Sequence, residues 1–335
     1  MKAPFVWFGG KRRVAPEVWA ALGDVPNYIE PFAGSLAVLL GRPHDMSNGT
    51  RRAETVNDAD GFLANFWRAL AHDPEAVAHW CDWPVNEVDL FARHLWLVNT
   101  GRSRLLEGME ADPDFYDAQV AGWWVWGVNA WIGSGWCSGD GPWVDTGDGI
   151  GKRPHLGNAG RGVNRQLPHL GNAGRAGYNN MEYRPNVLGY FEELAGRLRD
   201  VRVCCGDWSR VCTSGAMSYG SKVGVFLDPP YLGDVRTADL YAVDDHTISH
   251  AVRDWCLEHG DDPRLRIVLA GYRAEHDDLM PDTWRRHYYS ASAAYSTTES
   301  AARQDGNHAN RANEVLWFSP HCVTPDRQGE LWEAL

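Results

Sequence analysis

Val223-Gly224-Val225-Phe226-Leu227-Asp228-Pro229-Pro230-Tyr231 is an apolar run that ends abruptly on a carboxylate and two prolines. Its length and apolar character suit a strand. Two successive prolines remove two amide donors and fix the exit of the chain. Working outward, Asn27-Tyr28-Ile29-Glu30 reads as another short strand, followed by the turn Pro31-Phe32-Ala33-Gly34-Ser35 and an apolar helix start from Leu36 to Leu40. Thr55-Val56-Asn57-Asp58 ends a second strand, and Phe62, Leu63, Phe66 and Leu70 keep helical spacing after it. Val187 to Leu198 is an amphipathic helix before the strand Val201 to Cys205, which stops at Gly206-Asp207. A helix from about Ile248 to Glu258 and strands at Ile267–Ala270, His287–Ser290 and Glu314–Phe318 follow. This alternation predicts an α/β fold with a seven-stranded, doubly wound, Rossmann-like sheet. Ligands of such sheets bind at the carboxyl ends of the strands, where Asp58, Asp207 and Asp228 all fall.

The alternation is interrupted. Residues 71–132 are helix-prone and tryptophan-rich, clearest from Phe115 to Ile132, and residues 133–180 are rich in Gly, Asn and Arg with almost no apolar periodicity. So long a stretch is a functional insertion or is partly disordered. The domain expectation is a discontinuous sheet domain, 1–70 and 186–320, an inserted helical and loop recognition region, 71–185, and a carboxyl-terminal tail, 321–335. Within the insertion Pro154-His155-Leu156-Gly157-Asn158-Ala159-Gly160-Arg161 recurs as Pro168-His169-Leu170-Gly171-Asn172-Ala173-Gly174-Arg175. Two copies are too few for a solenoid. They are either a duplicated linker or a pair of loops offering arginine and backbone amides to phosphates and base edges.

Composition excludes several classes. A net charge of −12 argues against a non-specific nucleic-acid binder, which carries a basic surface. Lys152, Arg153, Arg161, Arg165, Arg175 and Arg184, however, face only Glu182 in their stretch, a local basic surface compatible with DNA. No apolar run is long enough for a membrane span, and no signal peptide is read at Met1 to Arg13. Seven scattered cysteines without a CxxC pair predict reduced thiols, no metal site and a cytoplasmic setting.

The Asp228-Pro229-Pro230-Tyr231 turn suits an exocyclic amine. The adenine amine is a weak nucleophile, because its lone pair is delocalised into the ring. The Asp228 carboxylate and the Pro229 carbonyl can both accept hydrogen bonds from it, drawing the nitrogen toward tetrahedral geometry. Tyr231 is placed to stack on a base that has left the duplex. A rigid strand exit is the alternative reading. The small residues of the Pro31–Ser35 turn let a backbone approach a ligand, although many α/β turns carry glycine. Asp58 and Asp207 can accept from ribose hydroxyls and an adenine amine, or each can cap a helix. Trp7-Phe8-Gly9-Gly10-Lys11 lacks the spacing of a phosphate loop. Lys11 can instead neutralise a ligand carboxylate while Trp7 covers an apolar part. The cluster Trp123, Trp124, Trp126, Trp131 and Trp136 is either a helical core or a stacking surface for bases.

Trp-x-Gly-Gly-Lys, then EPFAGS, Asn57-Asp58, a long insertion, Gly206-Asp207-Trp208, DPPY and a late Asn-Glu-Val-Leu strand resemble, in that order, the Dam-like DNA adenine-N6 methyltransferases. The resemblance covers roughly residues 1–70 and 185–320. It implies S-adenosyl-L-methionine as cofactor, with Trp7, Gly10 and Lys11 at its methionine end and Pro31, Phe32, Ala33, Gly34 and Ser35 along it. Asn57 and Asp58 fall at the ribose, Asp207 and Trp208 at the adenine, and Asp228, Pro229, Pro230 and Tyr231 at the flipped target base. Double-stranded DNA is the implied partner, with a cognate restriction endonuclease possible in a bacterial, archaeal or phage setting. Arg153, Arg161, Arg165, Arg175, Asn129 and Trp136 are the DNA-contact candidates. The chain departs from the family's FxGxG turn by carrying Leu36, a side chain expected near the cofactor's approach. Cytosine-N4 or RNA adenine methylation, or a DNA-binding relative without catalysis, are the alternatives.

Overall fold

The computed structural model describes residues 1–7, 9–43, 52–131, 136–137, 143–145, 150–152, 187–230, 245–289 and 314–324. Seven of its strands form one sheet: β1 (Asn27–Glu30), β2 (Ala53–Asp58), β5 (Val201–Cys205), β6 (Val223–Leu227), β7 (Leu265–Tyr272), β8 (Arg285–Tyr289) and β9 (Glu314–Phe318). Their order is β5-β2-β1-β6-β7-β9-β8. β1 is parallel to both β2 and β6, and β6 is parallel to β7, whereas β9 runs antiparallel to β7 and β8. The expected seven-stranded α/β sheet is therefore present, and the antiparallel β9 makes it a mixed one. The order reverses between β1 and β6, where Ile29 is in register with Val225, so this pair of strands is the topological switch point. The two remaining strands, β3 (Trp143–Asp145) and β4 (Ile150–Lys152), pair antiparallel by themselves. The sequence reading expected no regular element there, because three-residue strands are too short to show alternation.

The chain divides into two compact units. The unit built from residues 8–56, 208–233 and 244–335 holds the switch point. β6, an unbroken apolar run, is buried at every position. α1 (Ala15–Leu22) packs against β6 and β7. A Cβ at Gly224 would lie 2.9 Å from a Val25 methyl and 3.3 Å from Leu22, so only glycine permits this approach. Trp19 of α1 is buried and donates its indole N–H to the Val38 carbonyl at 2.7 Å. The helices α9 (Asp245–His259) and the short α10 (Arg273–His276) also belong to this unit.

The second unit comprises residues 1–7, 57–207 and 234–243. Its described part is mainly helical: α3 (Gly61–His72), α4 (Pro74–Cys81), α5 (Glu87–Trp96), α6 (Arg102–Ala111), α7 (Ala118–Ala130) and α8 (Val187–Leu198). Trp67, Trp124 and Trp126 are wholly buried, and Phe5 meets the rings of Trp67 and Trp124 at 5.7 and 5.2 Å. The guanidinium of Arg93, itself buried, lies over the rings of Trp126, Trp123 and Trp83 at 4.2, 5.2 and 5.3 Å. The tryptophan cluster is thus chiefly the core of a small helical unit. Apolar burial with ring stacking accounts for its density.

Candidate active site

The carboxyl ends of β1 and β6 hold the candidate residues of the first unit. β6 ends at Leu227, and Asp228 follows at once. Lys11 Nζ lies 3.0 Å from Asp228 Oδ1 and donates to the Gly9 carbonyl at 2.7 Å. The Lys11 side chain is only 5% exposed while that of Asp228 is 20% exposed. The ammonium is thus the more deeply buried partner of the pair. Gly9 has φ of +72°, a left-handed position that lets the chain fold its carbonyl toward Lys11.

Glu30 closes β1 beside this pair and was not assigned a role from sequence. It is 2% exposed; its Oε2 accepts from the Tyr28 hydroxyl at 3.0 Å and from the Leu39 amide at 3.3 Å. Burial lifts its carboxyl from 4.5 to about 8; the two hydrogen bonds pull it down, and the charges of Asp228 and Glu54 push it up. Tyr28, buried against the same carboxyl, is raised as well. In the sequence Glu30 is marked only as the acidic end of a short strand before Pro31, and its burial is visible in the structure alone.

The Pro31–Ser35 turn leaves β1 and enters α2 (Ala37–Leu40). Phe32 is half-buried and its ring stacks toward Trp208 at 6.2 Å with planes 26° apart. Trp208 in turn meets Trp255 edge-on at 6.4 Å. Leu36 stands in the left-handed region, φ +53° and ψ 29°, just where the family's glycine falls. Its side chain is 0% exposed. It lies within the core and lines no open face of the turn, which revises the expectation of a side chain near the cofactor's approach.

In the other unit the ends of β2 and β5 meet. Gly206 donates its amide to the Asp58 carbonyl at 3.0 Å, and the Asn57 side-chain amide donates to the Gly206 carbonyl at 2.9 Å. Asn57 and Asp58 are buried, whereas Asp207 is exposed. Gly206 has φ of +134°, available to glycine alone at little cost. Asp58 is not a helix cap. That role belongs to Asp60, whose Oδ1 accepts from the amides of Phe62 and Leu63 at 2.8 and 3.3 Å. Asp58 Oδ1 accepts instead from the Asp60 amide at 2.9 Å. Trp7 is half-buried, edge-on to Phe5 at 5.9 Å and tilted to Trp124 at 6.0 Å.

Two DNA-contact candidates are occupied in packing. Asn129 is 7% exposed and donates to the Val125 and Pro4 carbonyls. Trp136 is 8% exposed, donates to the Trp124 carbonyl at 3.1 Å and lies over Gly127, where an added Cβ would fall 1.8 Å from the ring. Neither presents its polar group to a ligand. Tyr231, Arg153, Arg161, Arg165 and Arg175, with the repeat, lie outside the described residues.

Among the described residues no helix is long and apolar enough to cross a membrane, and no group of three His, Cys, Asp or Glu side chains could hold a metal. All seven cysteines are free thiols, five of them buried. No curated protein matches the chain. Residues 7–86, which span Lys11, the Pro31–Ser35 turn and Asp58, match the model of the D12 class N6 adenine-specific DNA methyltransferases. Over that stretch, about a quarter of its length, the chain is similar to the D12 class N6 adenine-specific DNA methyltransferases, and the stretch holds β1 and β2 of the mixed seven-stranded sheet.

Proposed function

We propose that the protein is a site-specific DNA methyltransferase that moves a methyl group from S-adenosyl-L-methionine to the exocyclic amine of a flipped adenine. The observation that supports this reading most is the carboxylate of Asp228 at the switch point. It is followed by two prolines and is paired with the buried ammonium of Lys11. Asp228 and the Pro229 carbonyl accept the two amine hydrogens and orient the nitrogen lone pair, and Tyr231 stacks on the base. After transfer the amine sheds one proton, which the Asp228 carboxylate can accept.

The residues present suit the cofactor. Asp58 offers acceptors for ribose hydroxyls, Asp207 an acceptor for the adenine amine, and the Phe32–Trp208 pair an aromatic surface. Trp7, Gly10 and Lys11 serve the methionine end. When bound, the cofactor supplies an electrophilic methyl group on a sulfonium. The sheet domain of residues 1–70 and 186–320 carries this chemistry, and the insertion 71–185 selects the target through Arg153, Arg161, Arg165 and Arg175.

The test is tritium transfer from labelled S-adenosyl-L-methionine to unmethylated duplex DNA, with the product bases separated. Label in N6-methyladenine supports the reading. Label in N4-methylcytosine, or in RNA alone, replaces the substrate. Cofactor and DNA binding without transfer leaves a DNA-binding relative.

A further inference from the structure

Lys11, Arg12 and Arg13 form a single 3₁₀ turn that begins at Lys11. With three residues per turn, successive side chains leave the axis about 120° apart. Lys11 takes the inward direction, toward Gly9 and Asp228. Arg12 and Arg13 are thereby sent outward on two flanks, and both are exposed. Neither forms an ion pair or a side-chain hydrogen bond with any described residue. Glu17, four residues beyond Arg13 on α1, is not within ion-pair distance of it. Four other arginines, Arg42, Arg104, Arg264 and Arg286, each face a carboxylate.

In a chain of net charge −12, these two adjacent guanidinium groups have no acidic partner among the described residues. Their site, one residue from the lysine that holds Asp228, gives them a direction of use. We propose that Arg12 and Arg13 are a phosphate clamp, gripping the DNA backbone beside the flipped nucleotide. The inference rests on the DNA-methylating reading above. Guanidinium groups bind phosphate through two parallel N–H donors, which fixes geometry as well as charge. Phosphate contacts set the register of a protein on DNA without reading sequence. Because the same short turn carries Lys11, a grip on the backbone sets where the extruded base meets Asp228.

The experiment measures binding of the full chain to an unmethylated duplex across a salt series, alongside S-adenosyl-L-methionine titration and methyl transfer. Each lost phosphate contact lowers the slope of log affinity against log salt by about 0.9. The Arg12→Ala/Arg13→Ala variant is expected to lose about 1.8 units of slope and to keep parental cofactor affinity. The Arg12→Lys/Arg13→Lys variant, which keeps both charges, is expected to retain the slope. If the parent binds and methylates DNA while the double alanine variant keeps its slope, the clamp alone is overturned. If the parent binds no DNA, the methyltransferase reading and the clamp fall together.

Discussion

Lys11 Nζ and Asp228 Oδ1 stand 3.0 Å apart although more than two hundred residues separate them in sequence. The contact joins the turn that precedes α1 to the exit of β6. In the proposed reaction this carboxylate, already paired with the lysine, also accepts from the substrate amine. The parallel pairing of β1 with β6 makes this possible, because it brings both strand exits to one end of the sheet.

Replacing Asp228 by alanine is expected to reduce methyl transfer by roughly 10²–10³, the usual effect of deleting one preorganised transition-state contact. Circular dichroism should show a folded protein. Lys11 keeps the Gly9 carbonyl as an acceptor, so the stability cost is on the order of 1–3 kcal/mol. Near-parental turnover in a single-turnover assay overturns the role given to this carboxylate.

Leu36→Gly sets two effects against each other. Glycine relieves the left-handed backbone, by about 1–2 kcal/mol. Removing a wholly buried leucine costs about 2–5 kcal/mol, so the loss wins. The variant should melt at a lower temperature than the parent while binding S-adenosyl-L-methionine with parental affinity. A raised melting temperature, or tighter cofactor binding, contradicts the burial argument.

Glu30 predicts a pH dependence of stability. Its carboxyl titrates near 4.5 when unfolded and at about 8 when folded, so the folded state holds the extra proton in that interval. Stability supplied by this group is complete below pH 4.5 and is lost as pH rises toward 8. Glu30→Gln keeps an oxygen for the Tyr28 hydroxyl and the Leu39 amide but carries no charge. Its advantage over the parent in urea midpoint should grow between pH 5 and pH 8. Parallel curves for the two proteins would assign the titration elsewhere.

The duplicated segment offers a further test. Arg161 and Arg175 occupy equivalent positions in the two copies, each among Gly and Asn. Changing both to alanine should flatten the salt dependence of DNA binding by about two units. Cofactor affinity should stay at the parental value. A parental salt slope identifies the repeat as a linker.

Much of this protein was legible in its sequence because strand and helix periods are local. The run Val223–Leu227 needed no partner to be read as an apolar strand, and Asp58, Asp207 and Asp228 marked strand ends by abrupt changes of polarity. The tryptophans of 123–136 were ambiguous, since a core and a stacking surface share one composition. Only packing decided that Trp136 fills the space above Gly127. The pairing of Lys11 with Asp228, the burial that keeps Glu30 protonated and the inward turn of Leu36 belong to tertiary structure alone. Each depends on which strands are neighbours in the sheet, and neighbour order is a long-range property that no window of residues contains.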